Sequence, residues 1–426
     1  MTTRKRQVAC WGVLAALLMT GCSAGAPKAN TTAGPSSPAA STPTSNQPPT
    51  ASSTGPSSSG ESGTGSPVPS TTHGTEAPKT LEEQARQLAD QMSTGELAAS
   101  LVMAGVPATG ASKGEIAQLQ EQGISNVFLR GRSQLSVSQT AAQVKKITGA
   151  LAENMPQDLP VWVATDQEGG FVRVLQGPGF SELPTATKQG QWSQSTLKSR
   201  LSGVGAELVK AGVNVNLAPV ADVVPESIGT KNDPIGYFGR QYGDNAQDVA
   251  SSVLTVNETF AESGVQPVVK HFPGLGKVTA NTDTSSSVED TTTGTDSPDL
   301  EPFEKSIAQD LAWVMISNAL YTKIDSKNDA PFSSKVITGL LREQLGYKRL
   351  IISDDLCEAK QVADVQVGQR AVKFVEAGGT MPLCVSAADS VVMAKALEKQ
   401  AKSDQEFAAK VNDAAVLVLE EKLRQQ

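Results

Sequence analysis

A single (β/α)8 barrel of the TIM type, preceded by a disordered stalk, is the fold class that this chain of 426 residues predicts. Three observations carry the prediction. Beyond residue 80, short apolar, β-rich runs alternate with stretches of helical period, which is the pattern of parallel β-α units. Eight such runs follow one another, enough to close a barrel. Charged and hydrogen-bonding groups come directly after the runs, as expected where the C-terminal ends of parallel strands assemble a site.

The N-terminus stands apart from that pattern. Arg4-Lys5-Arg6 is followed by an apolar stretch from Val8 to Met19 and then by Thr20-Gly21-Cys22. A cationic start, an apolar core and small residues before a cleavage point make a secretory signal over residues 1–21. The apolar stretch is shorter than the roughly 20 residues that a membrane-spanning helix needs. Thr20-Gly21-Cys22 resembles a bacterial lipobox, although Met19 stands where leucine is usual. That resemblance implies acylation of Cys22 and an extracytoplasmic protein anchored to the cell membrane by lipid; the alternative is ordinary cleavage nearby. Residues 23–79 are Ser, Thr, Pro, Gly and Ala with almost no large apolar side chain. Such a segment cannot bury enough surface to offset its ordering entropy, so it reads as a disordered linker.

Residues 80–426 then supply the barrel and its C-terminal helices. The predicted strands are Leu101–Ala104, Asn126–Leu129, Val161–Ala164, Val213–Ala218, Pro267–Val269, Ala312–Ile316, Leu350–Ile352 and Met381–Val385. Several are almost continuously apolar, as strands covered on both faces are. Helical period marks Thr196–Lys210, Ala246–Glu262, Pro302–Asp310, Ser334–Leu345 and Val362–Ala377. Two further helices, Ala387–Gln400 and Gln405–Arg424, either pack outside the barrel or form a small extension. An open doubly wound sheet competes with this reading, but no Gly-x-Gly-x-x-Gly follows any strand.

Composition narrows the function. A net charge of −8 without Lys/Arg clusters beyond the leader argues against a nucleic-acid partner. Cys357 and Cys384 are the cysteines of the folded part; they either pair, as export permits, or remain two buried thiols. Nothing has zinc spacing, and of two histidines one, His73, lies in the stalk. His271 is therefore the sole imidazole of the folded part, which excludes poly-histidine metal sites. No metal and no cofactor are expected.

The polar groups that follow the strands are Asp166-Gln167-Glu168-Gly169-Gly170, Asp222, Lys270-His271-Phe272-Pro273-Gly274, Ser317-Asn318 and Ser353-Asp354-Asp355. Each alone reads equally well as a capping or loop residue. Their recurrence on five strands points to one site.

Six segments together resemble glycoside hydrolase family 3, specifically its short bacterial β-N-acetylglucosaminidases that cut peptidoglycan-derived sugars. They are Asp166–Gly170, Asn216–Asp222, Tyr237–Arg240, Lys270–Gly274, Ser353–Leu356 and Glu376–Gly379. The resemblance implies that Asp166, Arg240, Lys270 and His271 hold the non-reducing-end sugar and that Asp354 is the nucleophile. It implies a carbohydrate substrate and an exo-acting, retaining mechanism; a monomer is expected. Retaining hydrolysis needs two groups about 5–5.5 Å apart, one attacking carbon and one protonating the leaving oxygen.

The chain departs from the family at that second group. The family carries an Asp–His pair on a mobile loop after Lys-His-Phe-Pro-Gly. Here Asn281 occupies the place of the aspartate and Asp283 that of the histidine. Three readings follow: Asp283 is itself the acid/base; another acid such as Glu168 or Glu289 serves; or the protein is an amino-sugar-binding lipoprotein with little or no turnover. A family 3 glycosidase of other specificity is a further rival. Phe171 also stands where the family has arginine, leaving the displaced Arg173 as a substrate contact.

Overall fold

The computed structural model describes residues 79–156 and 159–426. The predicted leader over 1–21, the anchor Cys22 and the stalk up to residue 78 lie outside the described residues. Strands in chain order are β1 Met103–Pro107, β2 Asn126–Arg130, β3 Val163–Thr165, β4 Gln167–Gly169, β5 Val172–Arg173, β6 Val215–Asn216, β7 Gln266–Phe272, β8 Glu289–Asp290, β9 Trp313–Ile316, β10 Leu320–Tyr321, β11 Ile351–Asp355 and β12 Met381–Cys384. Eight of them, β1, β2, β3, β6, β7, β9, β11 and β12, close a parallel barrel. Closure runs through Met103 beside Leu383 and Ala104 beside Cys384. Two small pairs, β4 with β5 and β8 with β10, sit in the loops above the barrel's C-terminal face.

Local sequence explains why the helices start where they do. Thr80, Ser93, Ser112 and Ser136 each cap a helix, with Glu83, Glu96, Glu115 and Gln139 reaching back to the cap backbone. Two orphan donors are satisfied at each start. The interior between strands and helices is continuous and apolar, from Leu101 through Trp162, Phe260 and Trp313 to Leu397.

Several boundaries differ from expectation: β6 keeps only Val215–Asn216 of the predicted Val213–Ala218, and β11 runs on to Asp355. Leu101 caps the helix Thr94–Ser100 and Val102 follows it outside any strand, so β1 begins at Met103. Strand β7 is longer than Pro267–Val269 and carries Lys270 and His271 within it. The helix expected from Val362 starts at Val367. Its delay has a cause: the Arg370 guanidinium donates to the carbonyls of Leu356, Cys357, Ala363 and Val365, holding residues 356–365 as an ordered loop.

The C-terminal helices pack outside the barrel. The last, Gln405–Leu423, meets the first, Leu81–Ala89, through Ala85, Leu88, Val416 and Leu419. Its end covers the N-terminal face of the barrel. Glu421 accepts from Arg349 at 2.7 Å and from the Trp313 indole at 3.0 Å. Lys422 donates to the Pro160 carbonyl at 2.6 Å and lies 4.0 Å above the Trp162 ring. Cys357 and Cys384 form a disulfide with a Cα–Cα distance of 5.1 Å, joining the loop after β11 to the end of β12.

Candidate active site

Strand ends at the C-terminal face converge on one pocket of about 440 Å³, within the size range of small-ligand sites. Asp166, Arg240, Lys270, His271, Asp283, Asp354 and Asp355 all line it. These residues span nearly two hundred positions of chain; only barrel closure brings them together.

One wall is an ionic cluster. Asp166 follows β3 directly, and the chain then turns back through Gly169, at φ 114°, and Gly170, at φ 56°. A Cβ on Gly169 would meet the Pro184 carbonyl oxygen at 2.5 Å, so no larger residue fits this turn. Asn216 at the end of β6 accepts from the Gln167 amide at 3.0 Å and fixes the same segment. Within it, the buried Glu168 takes both Arg240 (2.8 Å) and Lys270 (2.7 Å), and Lys270 also reaches Asp166 at 2.6 Å. Burial alone would raise the Glu168 carboxyl, but the charges and hydrogen bonds of Arg240 and Lys270 hold it at about 2. The same carboxylates keep Lys270 raised against the opposing effect of burial. Both cations are therefore charged at neutral pH and face the pocket.

His271 is aligned from behind. The buried Asp222 faces its Nδ1 at 2.7 Å and accepts the Leu275 amide at 2.7 Å. A hydrogen on Nδ1 leaves Nε2 turned toward the pocket, 3.5 Å from Arg240 Nη2.

The opposite wall carries three carboxyls with different surroundings. Asp355 is saturated: it accepts backbone amides from Cys357 (3.0 Å), Val385 (3.0 Å) and Glu358 (2.7 Å). Asn318, at the end of β9, holds its carbonyl at 2.9 Å. Asp354 accepts one amide, that of Asp355, at 2.8 Å through Oδ1, and Oδ2 has no hydrogen-bond partner among the described residues. Asp283 comes in from the loop after β7, its residue exposed at the mouth of the pocket. Desolvation within the pocket walls, then the negative charges of Asp354 and Asp355, push its carboxyl up to about 6 against the smaller pull of Arg240 and His271. The site thus pairs a carboxyl that has an open oxygen with one that keeps its proton up to about pH 6.

Several expected residues fall elsewhere. Arg173 lies on β5 and aims at the Ser181 carbonyl, 3.4 Å away, outside the pocket lining. Its position is set by the β4–β5 hairpin, which turns it from the cavity. Glu168 is in the site but locked in ion pairs, which excludes it as a proton donor near neutrality. Glu289 is exposed on β8 and does not line the pocket. Asp222 and Asp355 hold neighbours in place. The apolar run before Asp222 signals its burial, whereas nothing in Ser353-Asp354-Asp355 distinguishes the saturated carboxylate from the open one.

Comparisons with known proteins agree with this geometry. The model of the glycosyl hydrolase family 3 N terminal domain matches residues 80–420. A β-N-acetylhexosaminidase structure from Beutenbergia cavernae superposes with a TM-score of 0.75 at 41% identity, covering 78% of this chain and 99% of that one. A family 3 β-N-acetylglucosaminidase from Paenibacillus sp. FPU-7 gives 0.69 at 26% identity, covering 78% and 63%. A β-hexosaminidase of Nitrosomonas eutropha is 29% identical over 297 residues, 68% of this chain and 81% of the relative.

Proposed function

This chain belongs to glycosyl hydrolase family 3, and we propose that it is an exo-acting, retaining β-N-acetylglucosaminidase using Asp354 as nucleophile and Asp283 as acid/base. The observation that carries the reading is the contrast between two carboxyls on one pocket wall: Asp354 with an open oxygen, and Asp283 raised to about 6. A general acid works best with a pKa near the operating pH, and the open oxygen of Asp354 is free to attack.

In the proposed sequence, the non-reducing-end sugar places its hydroxyls against Asp166, Arg240, Lys270 and His271. Arg240 and Lys270 donate only, so they fix hydroxyl oxygens and orient the ring. Asp354 Oδ2 attacks the anomeric carbon while Asp283 protonates the departing oxygen, giving a glycosyl-enzyme ester. Asp283, now ionised, takes a proton from water, which attacks the same carbon and releases Asp354. Proximity of Asp354 raises the Asp283 carboxyl before attack; once Asp354 is esterified that repulsion disappears.

The names of the relatives support an N-acetylhexosaminide substrate. Fragments of cell-wall glycan fit a protein whose leader, lipobox-like Cys22 and stalk point to the outer face of the cytoplasmic membrane. Turnover of nitrophenyl β-N-acetylglucosaminide by the purified chain tests the activity. Nitrophenyl β-glucoside turned over faster than the N-acetyl substrate would overturn the specificity.

A further inference from the structure

The loop that carries Asp283 is tied to the loop that follows Asp354. Gln361 is buried and its amide makes contacts in two directions: Oε1 accepts the Val288 amide at 2.7 Å, and Nε2 donates to Asp329 at 2.8 Å. Its own backbone amide donates to the Thr282 carbonyl at 3.0 Å, and that of Lys360 donates to the Asp283 carbonyl at 3.3 Å. The acid-bearing segment is thereby gripped on both sides of Asp283, at residue 282 and at residue 288. The gripping loop is in turn immobilised. Its start is fixed by the Cys357–Cys384 disulfide and by Asp355, and both of its ends by the carbonyl contacts of Arg370. Of these residues only Thr282, Asp283 and Asp355 line the pocket; Gln361, Asp329, Val288 and Arg370 do not.

We infer that Gln361 is a positioning residue, a clasp that sets the separation of Asp283 from Asp354 by stitching their two loops together. The inference rests on Asp283 being the acid/base. Its physical content is a lever on the proton. Asp354 and Asp355 of β11 face Asp283 with like charge, while Arg240 and His271 face it from the other wall. Glu358, on the gripping loop, also lines the pocket. If the side-chain stitch between Val288 and Asp329 is cut, the segment keeps only its backbone bonds at 282 and 283, Asp283 shifts outward from the two aspartates and into water, and both causes that raise its carboxyl weaken. Its pKa then falls toward the ordinary aspartate value. The alkaline limb of kcat/KM, which reports loss of the acid's proton, moves to lower pH.

The test uses the full chain, with Gln361→Ala and the similar-sized Gln361→Met, each measured on an unactivated N-acetylglucosamine disaccharide and on the nitrophenyl glycoside. Misplacing a catalytic group by an ångström costs up to about 100-fold. The expected result is therefore a roughly 10- to 100-fold fall in kcat on the disaccharide. The loss on the aryl substrate, whose leaving group needs little protonation, should be much smaller, and the alkaline limb should shift to lower pH. Asp329→Ala, which removes the far anchor of Gln361 from another element, should shift the limb the same way by less; it serves if the Gln361 variants do not fold. Equal losses on both substrates with an unmoved limb would reduce Gln361 to a structural residue and overturn the inference. Asp283→Ala separates this failure from failure of the underlying reading: if that variant loses equally on both substrates, Asp283 is not the acid. If it discriminates between them while the Gln361 variants behave as wild type, the clasp alone is wrong.

Discussion

At the N-terminal end of the barrel, Glu421 receives Arg349 and the Trp313 indole, and Lys422 donates to a carbonyl and lies over the Trp162 face. At the C-terminal end, Glu168 receives Arg240 and Lys270 just as closely. Both clusters are buried ion pairs with arginine, and both are satisfied in hydrogen-bonding terms. The difference lies in what surrounds them. Below, a hollow lined by Arg349, Glu421 and Arg424 lies beside the charges, but both Glu421 oxygens are taken by Arg349 and the Trp313 indole, and two tryptophan rings 4.5 Å apart close the other side. Above, Arg240 and Lys270 border a pocket that also holds the acids Asp283 and Asp354. A buried ion pair, even beside a hollow, is thus no sign of function by itself; one that shares its pocket with acids in different surroundings is.

The largest effect expected is at the open end. Asp354→Asn should lower kcat by roughly 10⁴-fold or more, as removal of a nucleophile does elsewhere, with Tm unchanged. Retention of wild-type turnover would remove Asp354 from the mechanism. Asp283→Ala comes next: loss of a general acid costs about 10²- to 10⁴-fold, expressed on a disaccharide far more than on the nitrophenyl glycoside. The comparison itself is sharpened by making one substitution at both ends. Glu168→Gln should reduce kcat/KM by about 100-fold, since breaking a close charge pair costs on the order of 2–5 kcal/mol and here misplaces Arg240 and Lys270. Glu421→Gln should instead lower stability by roughly 1–3 kcal/mol, read as a lower Tm, and leave kcat/KM unaltered. If Glu421→Gln impaired catalysis as strongly as Glu168→Gln, the two ends would be coupled and the contrast would fail. The smallest effect belongs to Arg173→Ala, within about 0.5 kcal/mol of wild type in stability and without change in KM. A large rise in KM would return Arg173 to the site.

What the sequence made legible divides along the same line. Strand order and the strand-end motifs were readable because parallel strands covered on both faces are apolar throughout and their polar groups cluster at one end. Asp166, Lys270, His271 and the Asp354-Asp355 pair stand out that way, whereas Arg240 and the choice of Asp354 come from the family resemblance; Asp166, Arg240, Lys270, His271 and Asp354 share a pocket. The contacts that organise those groups were not readable. Glu168 looked like a spare acid because its two cations come from residues 72 and 102 positions away in the chain, Arg240 and Lys270. Arg173 was misplaced because the turn at Gly169-Gly170 sets the hairpin's direction, and nothing in residue order gives that direction. The late start of the helix at Val367 depends on Arg370 gathering four carbonyls, a tertiary choice that overrides a good helical pattern.

The claim on which the account turns is that a proton held by Asp283 beside Asp354 drives bond cleavage. The pH dependence of kcat/KM on an N-acetylglucosamine disaccharide tests it most directly. A carboxyl raised to about 6 is protonated below that pH and ionised above it. Wild type should therefore fall in activity as pH rises through about 6, and Asp283→Ala should be slow and should lack that fall. An Asp283→Ala variant with the same alkaline limb as wild type would contradict the account.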